Sequence, residues 1–216
     1  MERPKVSIID YGMGNISSVI SAFNYLGADT EFVSSPEKIE ESNFLILPGV
    51  GSFSKGMREL KSRGIDQAIM AALQNNNAKI LGICLGMQLM GSFGSENGKT
   101  EGLGLISNVV ELFTKDELQA QKIPHVGFNS ISFNNGNGLF EGLPQLADFY
   151  FTHSYRMLPE GLEGQYATCN HGVEFLAAFQ MGNICGAQFH PEKSQTNGLI
   201  FLKNFLQRDQ FCSKNV

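Results

Sequence analysis

Lys79-Ile80-Leu81-Gly82-Ile83-Cys84-Leu85-Gly86-Met87-Gln88 is an apolar run that ends in a cysteine with a glycine two positions away on each side. Such a run reads as a buried parallel strand. The glycine spacing predicts a sharp strand-to-helix reversal, because only residues without a Cβ let the two backbones pass so closely. Cys84 then stands at the N-terminus of a helix expected to begin at Leu85, where unpaired backbone N–H groups and the positive dipole end favour a thiolate. A small buried cysteine in a Gly-rich turn fits the same pattern, so the elbow needs partners elsewhere in the chain.

The first half alternates strand and helix around this point. Strands are expected at 6–9, 30–33 and 44–47, and helices at 16–26, 36–41, 53–61 and 65–75. The first strand ends in Asp10-Tyr11-Gly12-Met13-Gly14-Asn15. Its G-x-G lacks the third glycine of a dinucleotide fingerprint, with Ser17 in that place, so it reads as a tight turn where a ligand or partner backbone comes close. The third strand ends in Pro48-Gly49-Val50-Gly51, an ordinary strand-to-helix loop or a backbone able to turn its N–H groups outward as an oxyanion hole requires. After a polar loop at 94–102 the pattern changes to short strands at 109–113, 131–133, 148–155, 165–169, 174–180 and 184–189. Asn170-His171-Gly172 and Met181-Gly182-Asn183 mark hairpins. A closing helix is expected at 198–208 and a loose tail after it. The expected fold is α/β, an open mixed, mostly parallel sheet whose parallel part comes from the first half and whose antiparallel extension comes from the second.

At 216 residues the chain can bury one substantial core, and a single domain over 1–216 is expected. No apolar run approaches the roughly 20 residues of a membrane helix, and the first residues lack a signal-peptide pattern, so a cytoplasmic location with no membrane partner is expected. A net charge of −5 without a Lys/Arg cluster argues against nucleic acid. Cys84, Cys169, Cys185 and Cys212 show neither C-x-x-C spacing nor a disulfide framework. Any functionally important cysteine is therefore expected to be a free thiol, and no metal is indicated.

The elbow's partners lie far down the chain. Strand 184–189 runs into His190-Pro191-Glu192-Lys193, and on extended backbone His190 and Glu192 project toward one region. A cysteine nucleophile needs a base, and the base needs an acceptor that fixes its tautomer. Cys84, His190 and Glu192 fill those roles. His125, His153 and His171 compete with His190, but only His190 has an acid two residues on.

These residues resemble the class I, triad-type glutamine amidotransferases over essentially the whole chain. The resemblance is carried by Asp10 to Asn15, Leu47-Pro48-Gly49-Val50-Gly51-Ser52-Phe53, Gly82 to Gln88, Pro124-His125-Val126-Gly127, Phe151-Thr152-His153-Ser154-Tyr155 and Gln188-Phe189-His190-Pro191-Glu192-Lys193-Ser194. It implies a flavodoxin-like sheet with helices on both faces and no cofactor. Cys84 would attack the side-chain amide of L-glutamine, His190 would protonate departing ammonia and then activate water, and Glu192 would orient His190. The N–H groups of Leu85 and of Val50 and Gly51 would form the oxyanion hole, while Gly49, Gln88, Glu96, His153, Ser154 and Tyr155 would hold the substrate. Asn15, Phe128 and Lys193 fall at an expected interface with a (β/α)8-barrel cyclase of histidine biosynthesis that would receive the ammonia. Phe128 stands where relatives usually carry Trp. A paralogous subunit supplying ammonia to a different synthase, for example for amidination of a cell-surface sugar, is the alternative.

Overall fold

The protein is described by a computed structural model over residues 3–14, 16–118 and 121–207. The alternating first half gives β1 (Lys5–Ile9), α1 (Ser17–Tyr25), β2 (Asp29–Val33), α2 (Pro36–Glu40), β3 (Phe44–Leu47), α3 (Phe53–Ser62), α4 (Ile65–Asn75), β4 (Lys79–Ile83) and α5 (Leu85–Leu89). Every residue of β3 and β4 is buried, so both sheet faces must be covered. The two-residue strand period sorts the side chains accordingly. Val6, Ile8, Phe44, Ile46, Leu81 and Ile83 join one core with α1 and the C-terminal helix. Ile9, Leu45, Leu47 and Ile80 join another with α2, α3 and α4.

The second half contributes β5 (Phe93–Gly94), β6 (Thr100–Glu101), β7 (Val109–Leu112), α6 (Lys115–Leu118), β8 (His125–Phe133), β9 (Ala147–His153), β10 (Tyr155–Met157), β11 (Gln165–His171), β12 (Val173–Met181), β13 (Ile184–Ala187) and α7 (Gln195–Phe205). Among the described residues the main sheet runs β2-β1-β3-β4-β13-β12-β11-β8-β9. It is parallel from β2 to β13 and antiparallel beyond. The expected mixed sheet is present, with one difference: the last strand, β13, completes the parallel part by pairing Ile184 with Ile80 and Ala187 with Ile83.

Other differences have local causes. The strand expected over 148–155 is two strands in two sheets, because the chain leaves the main sheet at Ser154 and β10 joins a second sheet, β10-β7-β5-β6. There Arg156 is opposite Glu111 and its buried guanidinium is bonded to Glu111 and Glu117. The loop expected over 94–102 contains the β5–β6 pairing. β8 begins at His125, well before 131, since its polar His125, Asn129 and Ser130 hide the apolar alternation. The closing helix starts three residues early and ends at Phe205. Arg208 and the expected tail lie outside the described residues. Among the described residues no helix is long and apolar enough to cross a membrane.

The β4–α5 junction leaves no room for a side chain at either glycine. A methyl on Gly82 would stand 2.6 Å from the Met87 nitrogen, and one on Gly86 would overlap the Leu47 carbonyl oxygen, so backbone occupies the space on both sides. Gly86→Ala is therefore expected to lower unfolding free energy by about 3 kcal/mol, the upper part of the overpacking range. Gly136→Ala, which would meet only Phe133 at 3.5 Å, should be close to neutral. Equal denaturant midpoints for the two variants would contradict this account of the junction.

Candidate active site

Cys84 sits between β4 and α5 with φ +53° and ψ −110°, a backbone conformation that costs a non-glycine residue about 1–3 kcal/mol and persists only where surroundings enforce it. Here its N–H donates to the Ala187 carbonyl at 2.7 Å and its carbonyl accepts from the Gln88 N–H at 3.2 Å. The turn is thus held by β13 on one side and α5 on the other. α5 is only five residues long, so its influence on the sulphur comes from the nearest N–H groups rather than an extended dipole.

The same β4–β13 register delivers His190 and Glu192. Beyond Ala187 the chain stays bonded to its neighbours, Gln188 N–H to Ala177 and His190 N–H to Tyr150, and then turns through a short 3-10 segment, Pro191–Lys193. His190 Nδ1 lies 2.8 Å from Glu192 Oε1, and both side chains are buried. His190 Nε2 is buried without a hydrogen-bond partner among the described residues. Burial alone would lower the imidazole pKa. The Glu192 hydrogen bond and the charges of Cys84 and Glu192 outweigh it and lift the pKa to about 9. The structure thus brings together the three residues expected to act as a unit.

The loop after β3 lies over the elbow. At Gly49 a Cβ would collide with the Tyr11 hydroxyl and stand 3.0 Å from Leu85 Cβ, so Gly49 is the point of closest approach between the two loops. The Tyr11 O–H donates to the Pro48 carbonyl at 2.8 Å. Val50 is 46% exposed and Gly51 has φ +113°. Tyr11 was not singled out from the sequence. Burial and the nearby Cys84 charge raise its hydroxyl pKa, keeping it a donor, and its only sequence signal is an aromatic residue inside a Gly-rich turn.

The expected substrate-holding residues divide. Gln88 is buried, with Nε2 donating to the Tyr155 carbonyl at 3.0 Å, so its carbonyl oxygen is the atom it can offer to a ligand. The chain just before His153 reaches the elbow, with the Thr152 carbonyl 3.9 Å from Cys84 Sγ. Ser154 accepts from the Phe113 N–H at 3.0 Å, fixing the β9–β10 break. Glu96 accepts from the Phe53 N–H at 2.6 Å, at the start of α3. It also lies near Tyr155, whose hydroxyl pKa rises through burial and the Glu96 charge.

His153 is committed internally. Its Nδ1 faces the Tyr155 carbonyl at 2.8 Å and so carries the proton, which leaves Nε2 to accept from His125 Nδ1 at 3.1 Å. Burial lowers the pKa of His153 to about 3 and, with His171 adding repulsion, that of His125 to about 4. Its ring is therefore part of the wall of the site rather than a free ligand. At the expected interface, Lys193 Nζ lies 5.8 Å from the Tyr150 ring centre and Phe128 packs edge-on to the same ring at 5.6 Å. Phe128 is 52% exposed beside exposed Val126. Asn15 lies outside the described residues. Among those residues no His, Cys, Asp and Glu cluster could hold a metal ion.

The profile of the family described as "Glutamine amidotransferase class-I" matches residues 7–208. The chain belongs to this family, and it is a glutamine amidotransferase. Its relatives include Imidazole glycerol phosphate synthase subunit HisH 1 of Parasynechococcus marenigrum (strain WH8102), 42% identical over 94% of this chain and 97% of that one. Imidazole glycerol phosphate synthase subunit HisH of Moorella thermoacetica is also 42% identical, over 94% of each chain. A solved glutamine amidotransferase shares the fold at 19% identity, with a TM-score of 0.70, covering 93% of this chain and 98% of that one.

The environment of His190 makes a direct prediction. Since its folded pKa of about 9 lies above the ordinary 6.5, the contribution of its pairing to stability is fully present below about 6.5 and is lost as pH rises through about 9. Imidazole proton resonances should show one histidine titrating near pH 9, absent in His190→Asn. The His125 and His153 signals should stay in their neutral positions between pH 5 and 8. A His190 resonance titrating near 6.5 would show that Cys84 and Glu192 do not hold the proton.

Proposed function

We propose that this chain is the glutaminase subunit of an imidazole glycerol phosphate synthase, hydrolysing L-glutamine and passing ammonia to a (β/α)8-barrel cyclase subunit. The observation that carries the chemistry is the Cys84 elbow beside the buried His190–Glu192 pair. The relatives' names, over nearly the full length of both chains, carry the pathway.

In this reading the Cys84 thiolate attacks the amide carbon of glutamine, and the oxyanion forms against the N–H of Leu85 and of the Val50–Gly51 segment. Protonated His190 gives its proton to the leaving nitrogen, releasing ammonia and a thioester. Neutral His190 then removes a proton from water, the resulting hydroxide attacks the thioester, and glutamate leaves as the thiolate returns. Glu192 keeps the imidazole in the right tautomer throughout. Gly49, Gln88, Glu96 and the His153-Ser154-Tyr155 segment surround the substrate's amino-acid end, with backbone of that segment serving where the His153 ring is already committed. The cyclase docks on the face bearing Phe128 and Lys193. Docking matters chemically because ammonia released to water at neutral pH is protonated and no longer a nucleophile.

Three measurements test this. Cys84→Ala should abolish glutamine hydrolysis in a folded protein, whereas Glu192→Gln should retain more activity than His190→Asn because the base survives. More than trace turnover by Cys84→Ala would rule out the nucleophile. The isolated chain should turn over at least about a hundredfold more slowly than the assembled synthase, the effect of one misplaced oxyanion donor. Full activity without the cyclase would show the hole already formed, and failure to restore histidine prototrophy when co-expressed with a barrel cyclase gene would remove the pathway assignment while sparing the glutaminase.

A further inference from the structure

Gln188 directly follows β13, two residues before His190, and it is completely buried. A fully buried amide must satisfy its donors and acceptor within the protein. Its neighbours fix which way it points. The Tyr155 carbonyl can only accept, so the Gln88 atom 3.0 Å away is nitrogen. The same Gln88 nitrogen lies 2.9 Å from the Gln188 side chain, whose near atom must therefore be oxygen. The Gln188 amide nitrogen is then the atom turned to Cys84, 3.9 Å from Sγ. A continuous polar chain runs from the Tyr155 carbonyl through Gln88 and Gln188 to the sulphur.

We infer that Gln188 is a positioning residue for the nucleophile, an N–H donor that holds Cys84 Sγ in its acceptor form and ties it to the substrate-contacting side chain of Gln88. The inference rests on the glutaminase reading above. Sulphur stands between two opposed groups: the Thr152 carbonyl, also 3.9 Å away, can accept a proton from the thiol, whereas the Gln188 amide can only donate to the sulphur. Among the described residues, His190, backed by Glu192, and Tyr11, whose O–H is spent on Pro48, also face Cys84. Gln188 is thus the uncharged side chain whose hydrogen is aimed at the sulphur. It favours the thiolate without adding a charge that would compete with His190. Its second role follows from the chain of bonds. Holding the Gln88 nitrogen leaves the Gln88 oxygen for substrate, so nucleophile and substrate-binding amide share one anchor.

The test is the pH dependence of Cys84 alkylation by iodoacetamide, read by mass spectrometry of the Cys84 peptide, on the full chain. Gln188→Met keeps the volume and removes the donor. It should raise the midpoint of the alkylation profile by about one pH unit, about tenfold less reactivity below the midpoint, as expected for a lost charge-assisted hydrogen bond. Gln88→Met, which leaves the Gln188 N–H in place, should shift it less. If Gln188→Met does not fold, Gln188→Asn, one methylene too short to reach the sulphur, must move the midpoint in the same direction. An unchanged midpoint in the folded variant, or equal shifts for Gln188→Met and Gln88→Met, would overturn the inference. Wild-type protein that hydrolyses glutamine alongside flat midpoints would sink this inference alone. Wild-type protein inert toward glutamine, even with the cyclase, would sink the reading beneath it.

Discussion

The site depends on one strand pairing, β13 against β4. The Cys84 N–H reaches the Ala187 carbonyl at 2.7 Å, and that contact does two things at once. It holds Cys84 in a backbone conformation it would not adopt alone, and it sets the distance between the elbow and the segment Gln188 to His190. The pairing joins segments far apart in the chain, so the entropy of closing that loop must be offset by burial. Both strands supply it: β4 is buried throughout, and Cys185, Gly186 and Ala187 are buried in β13. A one-residue slip would reverse every side chain on β13 between the two cores and withdraw His190 from Cys84. Catalytic geometry and core packing are thus enforced by the same register.

What could be read in the sequence follows from how local its cause is. β3 and α4 have the expected bounds because an all-apolar strand and an amphipathic helix declare themselves within a few residues. The elbow was legible because steric exclusion leaves glycine alone at Gly82 and Gly86, and the His190–Glu192 pair because their spacing is itself short-range. The hairpins at Gly172 and Gly182 were legible from positive-φ chemistry, with φ +81° and +60°.

The rest depends on partners the sequence does not bring together. That 148–155 divides between two sheets follows from Arg156 finding Glu111 and Glu117, which no local pattern announces. That β8 runs back to His125 follows from pairing with β9 and from side-chain bonds such as Asn129 to the Asn170 carbonyl. Tyr11 and Gln188 were passed over for a related reason. Each owes its importance to another loop, Tyr11 to Pro48 and Gly49, Gln188 to Cys84 and Gln88. Glu96 and His153 were named on family position, and only the folded chain shows that one carboxylate oxygen is bonded to the start of α3 and that the imidazole is bonded on both sides.

The histidines show how a single fold assigns opposite protonation states within one region. His125 and His153 pack among Phe113, Phe151 and Phe175, surroundings that oppose charge, and a one-way series of hydrogen bonds from Asn129 through His125 and His153 to the Tyr155 carbonyl requires both rings to be neutral. His190 is equally buried but faces a carboxylate and a thiol, and there the balance favours the charged ring. The two outcomes are coupled. A charged His153 would repel the His190 imidazolium, so each proton kept off His153 helps retain the one on His190. The aromatic packing around the neutral histidines is therefore part of the electrostatics of the nucleophile, because it reserves the positive charge in this region for the ring that faces Cys84.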